Sequence, residues 1–399
     1  MSKTFLWTGI AMVGLSLIAC DRAPVNSINS QPKTLKISAS QAEPYIENYA
    51  ELVFQTYRDS HQQAVSLQRA ITTLLENPSE ATLNQARQAW TQARQSYLQT
   101  EAFRFYGGPI DFVDEQTGEE GPEARINAWP MNEAFIDYVQ GKPDSGFINN
   151  PELTVDLDSI LENDQINDEA DVTTGWHAIE FLLWGQDLNA QGPGQRSFTD
   201  FLPDQGNNNR RRDYLTLVTD QLVTDLGNLE QAWSPDSGSY RATFIKADPQ
   251  QTLSNIFTAL ATLSAFEMGS ERLATSLDSG DQEDEHSCFS DTTHQDFIFN
   301  AQGIANVYRG DYGSYQGLGF DDLIQEINPE VHQDITAALA QTQEAIAQIP
   351  APFDQMLASA PESPPRQRAE TAVQALENQA QQFQKLSSVL GITVDILAE

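Results

Sequence analysis

His177 and Glu180 sit three residues apart in the stretch TTGWHAIEFLLWGQD, residues 173–187, among Trp176, Ile179, Phe181, Leu182, Leu183 and Trp184. In a helix starting near Thr173 or Thr174 an imidazole and a carboxylate at i and i+3 share one face and reach a common point. That gives the pair two chemical readings. One is half of a metal site, in the reverse order of the Glu-x-x-His pairs that hold ions in di-iron helical bundles. The other is a buried histidine satisfied by its neighbouring glutamate. The spacings His-Glu-x-x-His and His-x-x-Glu-His, which zinc peptidases use, are absent. The other histidines, His61, His286, His294 and His332, supply no second pair.

A second stretch able to do chemistry is QEDEHSCFSDTTHQD, residues 282–296. It gathers Glu283, Asp284, Glu285, His286, Asp291, His294 and Asp296 around Cys288. Two histidines with several carboxylates offer borderline and hard donors together. A solvated acidic loop is the plainer reading. The order does not fit an EF-hand loop, which needs acids at alternate positions followed by glycine. ENDQINDEAD, residues 162–171, fails the same test and reads as surface.

These groups have to be positioned by helices. Strand-like alternation is scarce, and Gln, Ala, Leu and Glu dominate long stretches, so the expected fold class is all-α. A first helix is predicted from about Pro44, a first-turn proline, to about Leu75. After Asn77-Pro78, Ser79 is a candidate N-cap, and Leu83, Ala86, Trp90, Ala93 and Tyr97 form one buried stripe. Continued at the same spacing, the stripe reaches Glu101 and Arg104. Buried charge is costly unless paired or ligating; the two either pair with each other at i and i+3 or line a polar pocket at the helix end. In QTLSNIFTALATLSAFEMGSERLAT, residues 251–275, the stripe Leu253, Ile256, Leu260, Leu263 runs on to Glu267, Glu271 and Ala274. A core-facing stripe again turns acidic near its end. The correspondence hints at a duplication, with helical bundles over 39–240 and 241–399 forming a pseudo-repeat around a site at their junction. Glu101 and Glu271 are then expected to converge near His177.

The N-terminus concerns where the protein works. Lys3 precedes an uncharged run, residues 5–19, of signal-peptide length and too short for a usual membrane span. Its end, Leu17-Ile-Ala-Cys20, resembles a bacterial lipobox, which implies cleavage before Cys20 and a lipid on its sulfur; an ordinary secretory signal is the alternative. Residues 1–19 are thus read as a lipoprotein signal peptide and 20–38, polar with Pro24 and Pro32, as a flexible tether. Acyl chains would anchor the protein to a membrane surface without spanning it. Cys20 and Cys288 are the only cysteines, so an acylated Cys20 leaves no intrachain disulfide and the core must carry stability. A net charge of −35, from 22 basic and 57 acidic residues, excludes nucleic acid as a partner and accommodates cations.

Gly175-x-His177-x-x-Glu180 resembles the Gly-x-His-x-x-Glu signature of the imelysin-like family. EDEHSCFSDTTHQD followed by GIANVYRGDY is similar to the second-half signature of its iron-regulated protein A branch. WTQARQSYLQTEAFRFYGGPID, residues 90–111, fits the family's first-half core helix and the turn after it. The resemblance implies a two-domain helical fold with a site between two bundles, in an exported envelope protein. Founding members were described as metallopeptidases, while relatives act in iron uptake as periplasmic or membrane-anchored binding components.

Only Gly175, His177 and Glu180 match the motif. On this footing His177 and Glu180 are the expected metal ligands, with iron favoured and zinc possible. Glu101, Arg104, Glu267, Glu271, His286, Asp291 and His294 are added as binding candidates from face and composition. Three readings stand side by side. The first is a lipoprotein binding iron or an iron-containing ligand, with the membrane, a metal chelate and an iron-uptake protein as partners. The second is a metallopeptidase with Glu101 as general base. The third is a scaffold whose junction residues form a buried polar network.

Overall fold

The computed structural model describes residues 34–189 and 192–397. The expected signal peptide, Cys20 and the tether as far as residue 33 lie outside the described residues. The tether was expected to reach residue 38, but residues 34–38 belong to the folded body. The Lys36 amide donates to the Leu390 carbonyl at 2.8 Å, and Ile37 is buried.

The first helix, α1 (Ala39–Glu76), begins five residues before Pro44. Ser38 caps it through a reciprocal box with Gln41. Satisfying two free amides at once fixes the start there, and Pro44 sits one turn inside, forgoing one intrahelical bond. α2 (Glu80–Thr100) is capped by Ser79 as expected, and Leu83, Ala86, Trp90, Ala93 and Tyr97 are all fully buried. A 3-10 turn, Glu101–Phe103, prolongs it. Next come α3 (Glu123–Asn127), α4 (Gly175–Trp184), buried at every residue, and α5 (Asn208–Ala232). α1, α2, α4 and α5 pack on one another.

The second half opens with α6 (Pro249–Thr262), which runs directly into a π-helix, Leu263–Ala274. It continues with α7 (Thr293–Arg309), α8 (Pro329–Ala347) and α9 (Pro364–Gln384). α9 packs on α6, the π-helix and α8. α7 lies along α2 and α6 crosses α1, which joins the two groups of helices. Strands among the described residues are confined to two hairpins of two-residue strands. The fold is all-α. No helix among the described residues is long and apolar enough to cross a membrane.

The π-helix overturns one expectation. With i→i+5 hydrogen bonds, residues five apart share a face, and Leu263, Met268 and Leu273 are all fully buried. Glu271, placed inward by an α-helical step of four from Glu267, is exposed instead. The residue five after Glu267 is Arg272, which turns inward and is 3% exposed.

Candidate functional site

Gly175 starts α4 with φ +84°, in the left-handed region, pressed against the preceding chain. A Cβ there would lie 2.4 Å from the Ile126 carbonyl oxygen. The Thr174 hydroxyl donates to the Arg125 carbonyl at 2.9 Å, and the Trp90 indole donates to the Trp176 carbonyl at 3.0 Å. α4 is thereby held between α3 and α2, which fixes His177 and Glu180 in the core.

His177 Nδ1 lies 2.9 Å from Glu180 Oε2. Glu180 Oε1 accepts from the Ser290 amide at 2.9 Å and from its hydroxyl at 2.6 Å. Burial, reinforced by Arg94 and His286, holds the imidazole well below its ordinary pKa. Burial also pushes the Glu180 carboxyl up to about 8. At neutral pH the ring is therefore neutral; while the Glu180 carboxyl keeps its proton it donates to Nδ1 and leaves the ring hydrogen on Nε2, so a metal ion at Nε2 would have to displace one proton from the pair. His177 Nε2 is buried without a hydrogen-bond partner.

The ring next to His177 is His286, with centroids 4.8 Å apart at 69°. His286 Nδ1 lies 2.6 Å from Asp296 Oδ2, which also accepts from the Ser287 hydroxyl at 2.6 Å. Burial and the guanidinium groups of Arg272, Arg94 and Arg104 keep His286 neutral by holding it well below its usual pKa. A ring whose Nδ1–H is held by a carboxylate turns its Nε2 lone pair outward, the arrangement that ligating histidines use.

Behind these rings a charged network crosses the core. Arg94, on α2, stacks over Trp90, Tyr97 and Trp176 and donates to Asn127 Oδ1 at 2.5 Å. Asn127 in turn donates to Glu101 Oε1 at 2.8 Å. Glu101 Oε2 meets Arg272 at 2.8 Å and Asn300 Nδ2 at 3.2 Å. Arg272 also reaches Glu267 at 2.6 Å and Asn300 Oδ1 at 2.9 Å. Arg104 closes the far end on Glu123 at 3.1 Å and Glu267 at 3.5 Å. Glu101 is inward as expected, but its ion-pair partner is Arg272, not Arg104.

This network borders a cavity of about 380 Å³ lined by Arg104, Glu123, Trp129, Glu267, Arg272 and His286, with Glu271 also contributing to its wall. Trp129 stands edge-on to His286 at 5.6 Å and donates to the Glu285 carbonyl at 2.8 Å. Of the expected residues, the cavity thus collects Arg104, Glu267, Glu271 and His286. His177 and Glu180 pack behind His286, and Glu101 lies beneath Arg272.

Asp291 and His294 fall in a different group. Asp291 is buried at φ +55°, beside Glu285, Asp354 and Asp187. Burial first, and then the other carboxylates, push Glu285 up to about 9 and Asp291 up to about 7. His294 Nδ1 is buried without a well-formed hydrogen bond, and the Asp291 backbone is its neighbour. Cys288 is buried and unpaired, and burial holds its thiol well above the usual range. Among the described residues, no three His, Cys, Asp or Glu side chains are arranged to hold a metal ion.

Sequence reasoning missed Arg94, Asn127, Trp129, Arg272, Asp296 and Asn300 as members of the site. Arg94 was accessible, because it stands four residues after Trp90 and three before Tyr97 on the buried stripe.

Residues 53–383 match the family model of imelysin, a peptidase family by its descriptor. The chain belongs to the imelysin family. Every residue of the histidine pair, the network and the cavity lies inside the matched span. Iron-regulated protein A of Synechococcus elongatus is 25% identical over 325 residues, covering 79% of this chain and 78% of that protein. The chain is also similar in fold to two solved structures. One, from Parabacteroides distasonis and assigned as an iron-regulated protein A precursor, is 18% identical with a TM-score of 0.70, over 89% of this chain and 96% of that one. The other, an imelysin-like protein from Psychrobacter arcticum, is 16% identical with a TM-score of 0.63, over 91% of this chain and 99% of that one. In this imelysin-family chain Gly175 sets the helix start, His177 presents an unpartnered ring nitrogen, and Glu180 fixes that ring.

Proposed function

We propose that this protein is an envelope lipoprotein that binds iron, as the ion or as a small iron complex, at the His177–His286 pair and the cavity beside it. The observation that carries the reading is a pair of touching neutral imidazoles, each held at Nδ1 by a buried carboxyl, with His177 Nε2 left without a partner. Imidazole with carboxylate suits iron, and zinc is the natural competitor. His286 is the ring at the cavity, with Glu267 and Glu123 as neighbouring oxygen donors. The cavity has room for roughly a dozen waters at their share of liquid volume, so an iron ion can enter with part of its own coordination shell. Donors carried in that way suit a site where no three protein side chains already surround one point. The iron-related names of the relatives agree with this reading.

The peptidase reading requires three protein ligands and an open position, and no geometric feature favours it. Its test is cleavage of a peptide library with added zinc, lost with a chelator and in Glu101→Gln.

His177 is fully buried, so His177→Ala costs stability whether the residue binds iron or only packs. The deciding measurement is the difference between iron-loaded and iron-free protein. Wild type is expected to retain iron over zinc by elemental mass spectrometry and to melt higher with ferrous iron added anaerobically. His286→Ala and His177→Ala are each expected to weaken iron binding about 100-fold or more, beyond the 10–100-fold typical of losing an outer partner, and to abolish the iron-dependent rise in Tm. Wild type that binds no iron, with both variants merely less stable, leaves the scaffold reading in its place.

The anchor belongs to the same proposal. Cys20→Ser is expected to move the protein from the membrane pellet to the soluble fraction. Retention of that variant on membranes through a high-salt wash would refute lipidation at Cys20.

A further inference from the structure

The cavity beside His286 is lined by two aromatic rings that the charged network does not use. Trp129 follows α3, and Phe266 comes from the π-helix. Both are half-buried. Neither belongs to the hydrophobic core, and neither is among the half-buried apolar side chains packed against it. Large aromatic side chains ordinarily gain their stability by burying their faces. These two instead border a chamber whose other walls include Arg104, Glu123, Glu267 and Arg272.

The π-helix is what brings Phe266 there. Its step of five sets Phe266 in line with Glu271, and Glu267 in line with Arg272, and all four line the cavity. A step of four would put Ser270 in line with Phe266 instead. π-Turns are rare and recur at functional sites; this one gives a single wall an aromatic ring, two acids and a guanidinium. Size and charge narrow what the wall can meet. A volume of about 380 Å³ is at the small end of ligand sites, with room for an iron ion and one aromatic ring but not for a chelator of several rings. Arg104, 6% exposed, keeps its Nε without a hydrogen-bond partner. Arg104 and Arg272 offer guanidinium groups to anionic oxygens, while Glu123, Glu267 and Glu271 suit a complex that keeps a net positive charge. Among the described residues no three His, Cys, Asp or Glu side chains surround one point, so the iron must bring most of its ligands with it.

We propose that the cavity takes ferric iron already held by a small catechol-type ligand, one aromatic ring with two adjacent phenolate oxygens, the ring lying against Trp129 and Phe266 and the iron turned toward His286. The proposal rests on the iron reading above and narrows its ligand. A catechol gives up both hydroxyl protons to bind ferric iron, and one such ligand leaves the ion a net positive charge and open positions. An aliphatic hydroxycarboxylate offers similar oxygens but no ring, and it forgoes the ring-on-ring contact that aromatic pairs gain beyond their buried area.

The test gives the full chain three probes: ferric chloride with equimolar 2,3-dihydroxybenzoate, ferric citrate, and 2,3-dihydroxybenzoate alone. Equilibrium dialysis is expected to show the ferric dihydroxybenzoate held about tenfold or more tighter than ferric citrate, and tighter than the acid without iron. Its visible charge-transfer band is expected to shift on binding, as an imidazole replaces water on the ion. Phe266→Ala and Trp129→Ala are each expected to bring the two iron complexes to similar affinity. Trp129→Phe keeps a ring but cannot donate to the Glu285 carbonyl, and it is expected to retain most of the preference. Equal binding of both complexes by wild type overturns the proposal. So does a preference unchanged in both alanine variants, or dihydroxybenzoate bound as tightly without iron. Ferrous chloride, titrated anaerobically, separates this failure from that of the iron reading. Wild type that holds ferrous iron but shows no preference between the complexes loses the catechol ligand alone; wild type that holds iron in no form loses both.

Discussion

Gly175→Ala is expected to destabilise the protein by about 3 kcal/mol or more and to abolish iron binding. Two costs add. An alanine held at φ +84° pays about 1–2 kcal/mol for left-handed backbone. Its Cβ would also stand 2.4 Å from the Ile126 carbonyl oxygen and 2.7 Å from that of Arg125, both backbone atoms that no rotamer change can move. Either α4 or the 125–127 segment must shift. The first displaces His177 and Glu180; the second displaces Asn127, which joins Arg94 to Glu101. Gly118 is the control, because it has φ +73° with nothing within 4 Å of where an alanine methyl would lie. Gly118→Ala should cost only the backbone strain. Urea unfolding of both variants separates strain from collision, and a Gly175→Ala no less stable than Gly118→Ala would remove the collision from the account.

That glycine marks the boundary of what the sequence could tell. The motif was visible as a pattern, and the apolar run around it was visible as a buried helix. What made glycine necessary was a close approach to residues some fifty positions earlier, which no local pattern encodes. The stripe on α2 was legible because an unbroken α-helix repeats by threes and fours, and its continuation correctly placed Glu101 in the core. The same projection failed for Glu271. The π-helix changes the period, and nothing in LSAFEMGSERLA distinguishes a step of five from a step of four until Met268 and Leu273 are seen buried with Leu263. Arg272 was invisible for that reason.

The acidic loop was legible only as composition. His286 and Asp296 join the histidine pair, whereas Glu285 and Asp291, interleaved with them in sequence, face a separate group of carboxylates. Sorting neighbours into two groups required the tertiary partners Asp354 and Asp187, which lie 69 residues after and 98 residues before Glu285.

Arg272→Met is the second large effect expected, at about 3–5 kcal/mol of lost stability. Arg272 is the cation shared by Glu101, which is fully buried, and Glu267. Methionine keeps the volume but leaves Glu101 with only the amides of Asn127 and Asn300. Glu267 retains Arg104 at 3.5 Å, so most of the loss should come from Glu101. In the variant the stranded carboxyl takes up a proton more readily than the same group in the unfolded chain. The folded state then binds more protons, and its stability falls as pH rises. The deficit against wild type should accordingly be larger at pH 8 than at pH 5. Arg272→Lys should recover only part of it, since one ammonium cannot reproduce the fork that meets Glu101, Glu267 and Asn300 together. Adding Glu101→Gln to Arg272→Met should restore more than Glu101→Gln costs alone, a coupling that a double-mutant cycle reads directly. A loss below about 1 kcal/mol that is flat in pH would mean that Glu101 does not depend on Arg272, and the network behind the histidine pair would have to be redrawn around the two asparagines.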